Sequence, residues 1–150
     1  MYKNNVNIEL DSNSSNEGFA RMVTVAFLAP LDPTIDEISD IKTAVSEAVT
    51  NCIIHGYDNK AGKIYMKMSL QDNLYRVEIE DKGIGIEDIN KAMEPMYTTK
   101  EDEDRSGMGF CFMEAFMDNL EVESKVGQGT KIIMSKYIKS SKDNYNSMED

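Results

Sequence analysis

The sequence has no tryptophan, one histidine and only two cysteines among its 150 residues. Cys52 and Cys111 both fall within apolar helical patterns, where a buried reduced thiol is the usual state, and neither has the spacing of a metal-binding set. No apolar run approaches the ~20 residues of a membrane span. The N-terminal stretch MYKNNVNIEL also lacks the apolar core of a signal peptide. The sequence therefore predicts a cytoplasmic protein without a membrane segment.

Basic residues are scarce as well, since 16 lysines and arginines stand against 27 acidic residues and give a formal charge of −11. This charge repels the phosphates of nucleic acids and of anionic membranes. We therefore expect no direct contact with either, and any role in transcription would act through a protein partner. A nucleotide remains possible because a local site can override the global field. With 41 % hydrophobic residues, the chain is long enough for one domain with a real core.

What is present is a regular succession of strand and helix patterns. The expected strands are 6–10, 63–70, 74–80, 121–124 and 131–138, and the expected helices are 17–28, 34–55, 87–93 and 107–120. This order predicts a two-layer α/β sandwich, in which a mixed sheet carries its helices on one face. Residues 1–138 should form the domain, and 139–150 should form a disordered tail.

Several local signals refine these elements. Thr34 and Glu37 have the spacing of a capping box, so a helix should begin there. Gly56 is placed to end the same helix as a left-handed residue. The helix at 107–120 is apolar almost all round and should be buried on most sides. Residues 94–106 are polar and charged, which is typical of a mobile loop.

Glu47, Asn51 and His55 are spaced four apart on the long helix, so they share a face at the border of its apolar stripe. Such a trio is often only the solvated edge of a packed helix. An amide oxygen from Asn51 would suit Mg²⁺, which prefers oxygen and few protein ligands. Glu47, one turn earlier, could then orient or deprotonate an attacking hydroxyl.

Three glycine clusters punctuate the ends of strands and helices: 81–86, 105–109 and 127–130. Turn chemistry alone explains a single cluster, but three suggest close approach of the backbone to a ligand. In the first, Asp81 is an acceptor suited to the exocyclic amine of adenine. In the second, Gly107 and Gly109 open a helix, where free N–H groups favour phosphate, and Arg105 adds a forked cation. In the third, Thr130 offers a hydroxyl to the base.

These clusters fit neither of the two common nucleotide fingerprints, because the P-loop and the dinucleotide-binding GxGxxG patterns are absent. Together the motifs resemble those of the GHKL ATP-binding superfamily, which includes gyrase and the histidine kinases and has the Bergerat fold. SEAVTNCIIHGY (46–57) matches its N box, DKGIGI (81–86) and RSGMGF (105–110) match its glycine boxes, and GQGT (127–130) matches its last motif. The chain is most similar to the compact serine-kinase branch, and within it to the anti-sigma F family of endospore-forming bacteria. The anti-sigma B type is the nearest relative.

The resemblance implies binding of ATP or ADP with Mg²⁺, sequestration of sigma F, and phosphorylation of a serine on an anti-anti-sigma protein. It makes Glu47 the catalytic base, Asn51 the Mg²⁺ ligand and Asp81 the adenine acceptor, with Arg105 facing the γ-phosphate. It places further residues at the nucleotide, several of them in an ATP lid at 94–106: Gly83, Gly85, Thr98, Thr99, Lys100, Ser106, Gly107, Met108, Gly109 and Thr130. It also implies a homodimer.

Two questions stay open at this level. Arg21 lies off the apolar face of its helix, where a solvated charge is the usual interpretation, while the resemblance puts it in the partner-binding surface. The alternative interpretation is a nucleotide-gated binding module that sequesters its partner without phosphate transfer. The presence of Glu47 favours the kinase, since a binding module needs no base. We expect His55 to be a helix-end residue without a catalytic part.

Overall fold

The computed structural model describes residues 2–94 and 108–139. Its elements are β1 (Lys3–Asp11), α1 (Ser15–Leu28), a 3-10 turn (Ala29–Leu31), α2 (Ile35–Asn51), a π turn (Cys52–Gly56), β2 (Lys63–Gln71), β3 (Leu74–Asp81), α3 (Ile89–Ala92), α4 (Gly109–Phe116), β4 (Asn119–Lys125) and β5 (Gly129–Tyr137). Within these ranges no helix is both long and apolar enough to span a membrane. The predicted loop and tail lie outside the described residues except for Glu94 and Lys139.

The five described strands form one sheet in the order β1-β2-β3-β5-β4. The predicted two-layer α/β sandwich is confirmed, but every neighbouring pair is antiparallel, so the sheet is not mixed in strand direction. The helices α1 and α2 connect β1 to β2, and β2 pairs with β1 in the antiparallel direction. β3 and β4 do run in the same direction, but β5 lies between them.

The side chains of the sheet alternate between a buried and an open face. On β2, Ile64, Met66, Met68 and Leu70 are all buried, while the intervening residues are partly or fully exposed. The buried face shares one core with apolar residues of α1, α2 and α4. Hence the helices cover one face of the sheet, as the period-two pattern predicts.

Two contacts fix the helical layer to the sheet. The rings of Phe27 on α1 and Tyr75 on β3 lie 6.3 Å apart in a tilted arrangement.

At the start of α2 the capping box is confirmed, because Thr34 and Glu37 each accept a backbone N–H from the other. Glu37 also accepts the N–H of Lys139 at 2.7 Å. The helix that carries Glu47 and Asn51 is therefore anchored at its far end to the end of β5.

The second half of the chain departs from the sequence prediction at α4. This helix runs only from Gly109 to Phe116, and Met113 is its one buried residue. The prediction that it would be buried on most sides is wrong. The stacked rings of Phe112 and Phe116, 6.0 Å apart, are only partly buried. Hydropathy alone did not mark the end of the short helix, since Met117, the residue after Phe116, is also apolar.

Candidate functional site

A cavity of about 890 Å³ opens between the end of α2, the segment that follows β3, and α4. This volume is within the range of small-molecule sites, roughly 300–1,000 Å³. Its walls come from four stretches of the chain. The lining residues include Glu47, Thr50, Asn51 and His55 of α2 and the π turn, residues 84–94, Gly109, Phe110, Cys111 and Met113 of α4, and Ser124 of β4.

The α2 wall brings the predicted polar trio to the cavity. Glu47, Asn51 and His55 all line it, so their common face is not a solvated edge. A Cβ added at Gly109 would lie 3.1 Å from Oε2 of Glu47. The first turn of α4 thus approaches the Glu47 carboxylate closely, and glycine is the residue that leaves this approach open. His55 does lie at the helix end, as expected, but it belongs to the cavity wall as well.

The helix that carries this wall does not end as predicted. From Cys52 to Gly56 the backbone forms a π turn, closed by the N–H of Tyr57 on the carbonyl of Cys52 at 2.9 Å. Gly56 does not have a positive φ, whereas Asp58 and Asn59 do. The left-handed cap predicted at Gly56 is therefore wrong. π turns within helices are frequent at functional sites, and this one sets Gly56 beside Asp81.

Asp81, the last residue of β3, is the buried charge of the site and only 1 % exposed. Its Oδ1 accepts the N–H groups of Gly83 at 2.9 Å and Thr130 at 3.3 Å. Its Oδ2 has no hydrogen-bond partner among the described residues, although the thiol of Cys52, a weak donor, lies close by. A buried carboxylate oxygen without a partner favours a ligand that brings an N–H or O–H donor.

Burial is the largest influence on the pKa values of Asp81 and Cys52. It raises the pKa of Asp81 above its ordinary value, against the lowering effect of the N–H bonds from Gly83 and Thr130 and of the nearby Cys52 thiol. Burial also raises the pKa of the Cys52 thiol, and the Asp81 charge adds to this increase. Cys52 is therefore a protonated core thiol, as its sequence context predicted.

The loop after Asp81 packs backbone against backbone. A Cβ on Gly83 would lie 1.9 Å from the carbonyl oxygen of Gly56, and a Cβ on Gly129 would lie 2.1 Å from the carbonyl oxygen of Asp81. A Cβ on Gly56 would lie 2.6 Å from Oδ2 of Asp81. Gly83 was expected at the pocket from the sequence. The roles of Gly56 and Gly129, which make room for the Asp81 carboxylate and backbone, were not.

Gly85, the second glycine of this loop, must be glycine both for its backbone conformation and for lack of space. Gly85 has a φ of +77°, and its Cβ would lie 2.3 Å from the carbonyl oxygen of Lys125. It lines the cavity, as predicted. By contrast, Asp81, Gly83 and Thr130 are not on the cavity wall and lie in a layer directly behind it.

Thr130 and Ser124 connect this layer to the wall. Thr130 is 4 % exposed, and its hydroxyl oxygen lies 2.8 Å from Oγ of Ser124, which lines the cavity. Sequence reasoning missed Ser124, whose only signal was its place on the inward period of β4, just before the turn at 126–128. It also missed Cys111 as a cavity residue, and the segment 86–94.

Arg21 lies outside the cavity but is not a free surface charge. Its guanidinium donates to Oε1 of Glu17 at 2.6 Å and to Oγ of Ser46 at 2.9 Å, and its side chain is 37 % exposed. Thr50, a cavity residue, donates to the other oxygen of Glu17 at 3.4 Å. The position predicted to bind a partner is thus hydrogen-bonded to the outer side of the helix that carries Glu47.

Six predicted residues lie outside the described part of the chain, namely Thr98, Thr99, Lys100, Arg105, Ser106 and Gly107. Met108, which precedes α4, is partly buried, and its carbonyl accepts the N–H of Phe112 at 2.9 Å. The described residues contain no cluster of three or more His, Cys, Asp or Glu that could hold a metal ion. Asn51 therefore stands as a candidate single ligand.

The comparisons with known proteins agree with this fold and site. Residues 12–136 match the model of the histidine kinase-like ATPase domain. The RsbU and RsbW domains of a Mycobacterium tuberculosis protein share the fold, with a TM-score of 0.65 and 22 % identity over 90 % of this chain and 32 % of that chain. Fold and site thus define a domain of the histidine kinase-like ATPase class.

Sequence similarity narrows this class. An anti-sigma F factor of a Thermoanaerobacter species is 58 % identical over 94 % of this chain and 99 % of its own length. An anti-sigma F factor of Caldanaerobacter subterraneus is 57 % identical over 91 % of this chain and 96 % of its own length. The chain belongs to the anti-sigma F factor family, within the histidine kinase-like ATPases.

Proposed function

We propose that this protein is an ATP-dependent serine kinase and anti-sigma factor of the cytoplasm, acting as a homodimer. It holds sigma F away from RNA polymerase and phosphorylates a serine on an anti-anti-sigma protein, and so regulates transcription during sporulation. The observation that carries the proposal is the cavity in which Glu47 and Asn51 on α2 face the first turn of α4. This arrangement offers a base and a metal ligand beside a group of phosphate-binding N–H donors.

The residues present fit ATP with Mg²⁺. The unpartnered Oδ2 of Asp81 suits the exocyclic amine of adenine, which donates hydrogen bonds. At the other end, the backbone N–H groups in the first turn of α4, which have no partner within the helix itself, suit phosphate oxygens. The amide oxygen of Asn51 suits Mg²⁺, which keeps most of its shell for phosphates and water. When bound, Mg²⁺ offsets the negative charge that develops on the phosphates.

The transfer step then needs one proton acceptor. The oxygen of the substrate serine attacks the γ-phosphorus while the bond to the β,γ-bridging oxygen breaks, so that ADP leaves and phosphoserine forms. The proton of the serine hydroxyl passes to the Glu47 carboxylate. Most of the rate enhancement in such reactions comes from positioning and electrostatics. A base from a rigid helix, one turn from the metal ligand, meets both needs.

The partner surface centres on Arg21 of α1. On the same helix, Phe19 is 50 % exposed and Met22 is 64 % exposed, and aromatic, Met and Arg side chains are enriched at protein interfaces. The ion pair with Glu17 and the bond to Ser46 hold the guanidinium in place, which lowers the entropy cost of binding. The charge of −11 also favours a protein partner over DNA.

Replacing Glu47 tests the kinase against the second candidate, a nucleotide-gated anti-sigma module, of sigma B type or other, without phosphate transfer. Purified protein, radiolabelled ATP and an anti-anti-sigma protein are incubated, and label on serine is scored. We expect Glu47→Gln to bind ATP nearly as well as wild type and to lose transfer at least about 100-fold. Glu114→Gln, at an exposed position of α4, is the matched control and should transfer normally. Normal transfer by Glu47→Gln would remove the base role, and no transfer by wild type would favour the binding module.

A further inference from the structure

Ser124 is a polar side chain of the cavity wall that none of the nucleotide-binding motifs includes. Its Oγ lies within hydrogen-bond distance of three groups: the N–H of Ile86 at 2.7 Å, the carbonyl oxygen of Gly129 at 3.1 Å and the hydroxyl of Thr130 at 2.8 Å. The first belongs to the segment after β3, and the other two belong to the start of β5. One hydroxyl thus joins the wall to the layer behind it.

The number of protons fixes the direction of these bonds. A serine hydroxyl has one proton to donate and two lone pairs to accept with. The N–H of Ile86 can only donate, and the carbonyl of Gly129 can only accept, so Ser124 accepts from the first and donates its proton to the second. Thr130 must therefore donate its own proton to Ser124. Its oxygen then offers only lone pairs to any other group.

Thr130 also belongs to the environment of Asp81, since its backbone N–H donates to Oδ1 at 3.3 Å. The layer behind the wall therefore combines an unpartnered carboxylate oxygen of Asp81 with a hydroxyl oxygen that is restricted to accepting. Adenine carries an exocyclic amine, a donor, where guanine carries a carbonyl oxygen, an acceptor. Two acceptors attract the amine of adenine and repel the carbonyl oxygen that guanine carries at the same position.

We propose that Ser124 is a specificity-determining positioning residue, which keeps Thr130 in its accepting state and thereby makes the site prefer adenine over guanine nucleotides. This inference rests on the proposed nucleotide site. Without the Ser124 hydroxyl, Thr130 is free to rotate its proton toward the guanine carbonyl. The preference for ATP should then fall by about tenfold, the effect of roughly one hydrogen bond.

The experiment measures ATP and GTP affinities by titration calorimetry for the full chain with Mg²⁺. Ser124→Ala should lower the ratio of the two affinities by about tenfold, and Ser124→Thr, which keeps the hydroxyl, should restore it. The matched control is Ser135→Ala on β5, because the Ser135 hydroxyl accepts only a 3.3 Å bond from Asn119 among the described residues. This control should keep the wild-type ratio.

A second pair of variants tests whether Ser124 acts through Thr130. In a Thr130→Val background, Ser124→Ala should no longer change the ratio, because the hydroxyl that it controls is gone. An unchanged ratio in the Ser124→Ala variant, or the same change in both backgrounds, would overturn the inference and leave the nucleotide site standing. A wild-type chain that binds no nucleotide would overturn both. If Ser124→Ala does not fold, Ser124→Cys replaces it with the same expected loss.

Discussion

Replacing Asp81 by asparagine tests base recognition while keeping the shape of the side chain. The side chain keeps its size, and its remaining oxygen can still accept the N–H groups of Gly83 and Thr130, which lie 2.9 and 3.3 Å from Oδ1. At the position of Oδ2, however, an acceptor becomes an NH₂ donor. The donor would then face the exocyclic amine of adenine, which is itself a donor.

The magnitude follows from one lost charge-assisted bond and one donor–donor contact. A hydrogen bond to a charged group contributes about 1.5–3 kcal/mol, and an unsatisfied partner adds to the loss. ATP affinity should therefore fall by about 10- to 100-fold or more. Titration calorimetry with ATP and Mg²⁺ measures it directly, and Asp118→Asn at an exposed position after α4 is the matched control.

The effect on stability should have the opposite sign. Burial raises the pKa of Asp81 above its value in the unfolded chain, so the native state binds the proton more tightly than the unfolded state does. Stability is therefore lost as the pH rises through the interval between the two pKa values, and above that interval the ionised form destabilises the fold. The Asp81→Asn variant carries no charge and should unfold at equal or higher urea concentration than wild type.

The same protonation equilibrium predicts the pH dependence of binding. A protonated Asp81 has lost the charge that strengthens its bond to the adenine amine, so ATP affinity in wild type should weaken as the pH falls through the raised pKa of this group. The variant should not show this step. An Asp81→Asn protein that binds ATP like wild type would refute the assignment of Asp81 as a nucleotide ligand. One that unfolds far more easily would refute the argument that the buried charge of Asp81 destabilises the fold.

Two further predictions concern the frame of the site. Gly83→Ala should destabilise the fold by about 3 kcal/mol or more in urea unfolding, because the new Cβ would lie 1.9 Å from a backbone oxygen. Gly127→Ala, with a φ of +80° but nothing within 4 Å, should cost only about 1–2 kcal/mol, and equal losses in the two variants would contradict the backbone-contact argument. Glu37→Ala should lower stability by about 2 kcal/mol, since Glu37 accepts N–H groups from Thr34 and Lys139. Thr43→Ala on the same helix is its control, and a loss within ±0.5 kcal/mol for Glu37→Ala would show that the tie to β5 is dispensable.

The parts of the molecule that are predictable from sequence are those with a local cause. Thr34 and Glu37 cap α2 because their spacing alone determines the two bonds, and the face shared by Glu47, Asn51 and His55 follows from the helical period. The antiparallel sheet was harder to predict. Its direction depends on β5 entering between β3 and β4, and no local pattern records which strand becomes the neighbour of which.

Gly56 shows the same limit of prediction from local sequence patterns. Sequence reasoning assigned Gly56 to a left-handed helix end because helices often end that way. The structure requires glycine there for a different reason, the space taken by the Asp81 carboxylate, 25 positions later in the chain. A requirement for space depends on a distant contact and has no local signature. Ser124 was missed for the same reason, since its importance lies in what Ile86 and Thr130 bring to it.

The two ends of the site therefore differ in what a substitution can change. At the α2 wall, Glu47 and Asn51 project from a helix whose core contacts do not depend on them, so their replacement should affect chemistry and leave the fold intact. Behind the wall, Asp81 is the proposed contact of the base, and Gly83 and Gly129 pack backbone against backbone with Gly56 and Asp81. Chemistry and fold are coupled there. Only a change that preserves shape, such as Asp81→Asn, can separate recognition of the base from folding of the chain.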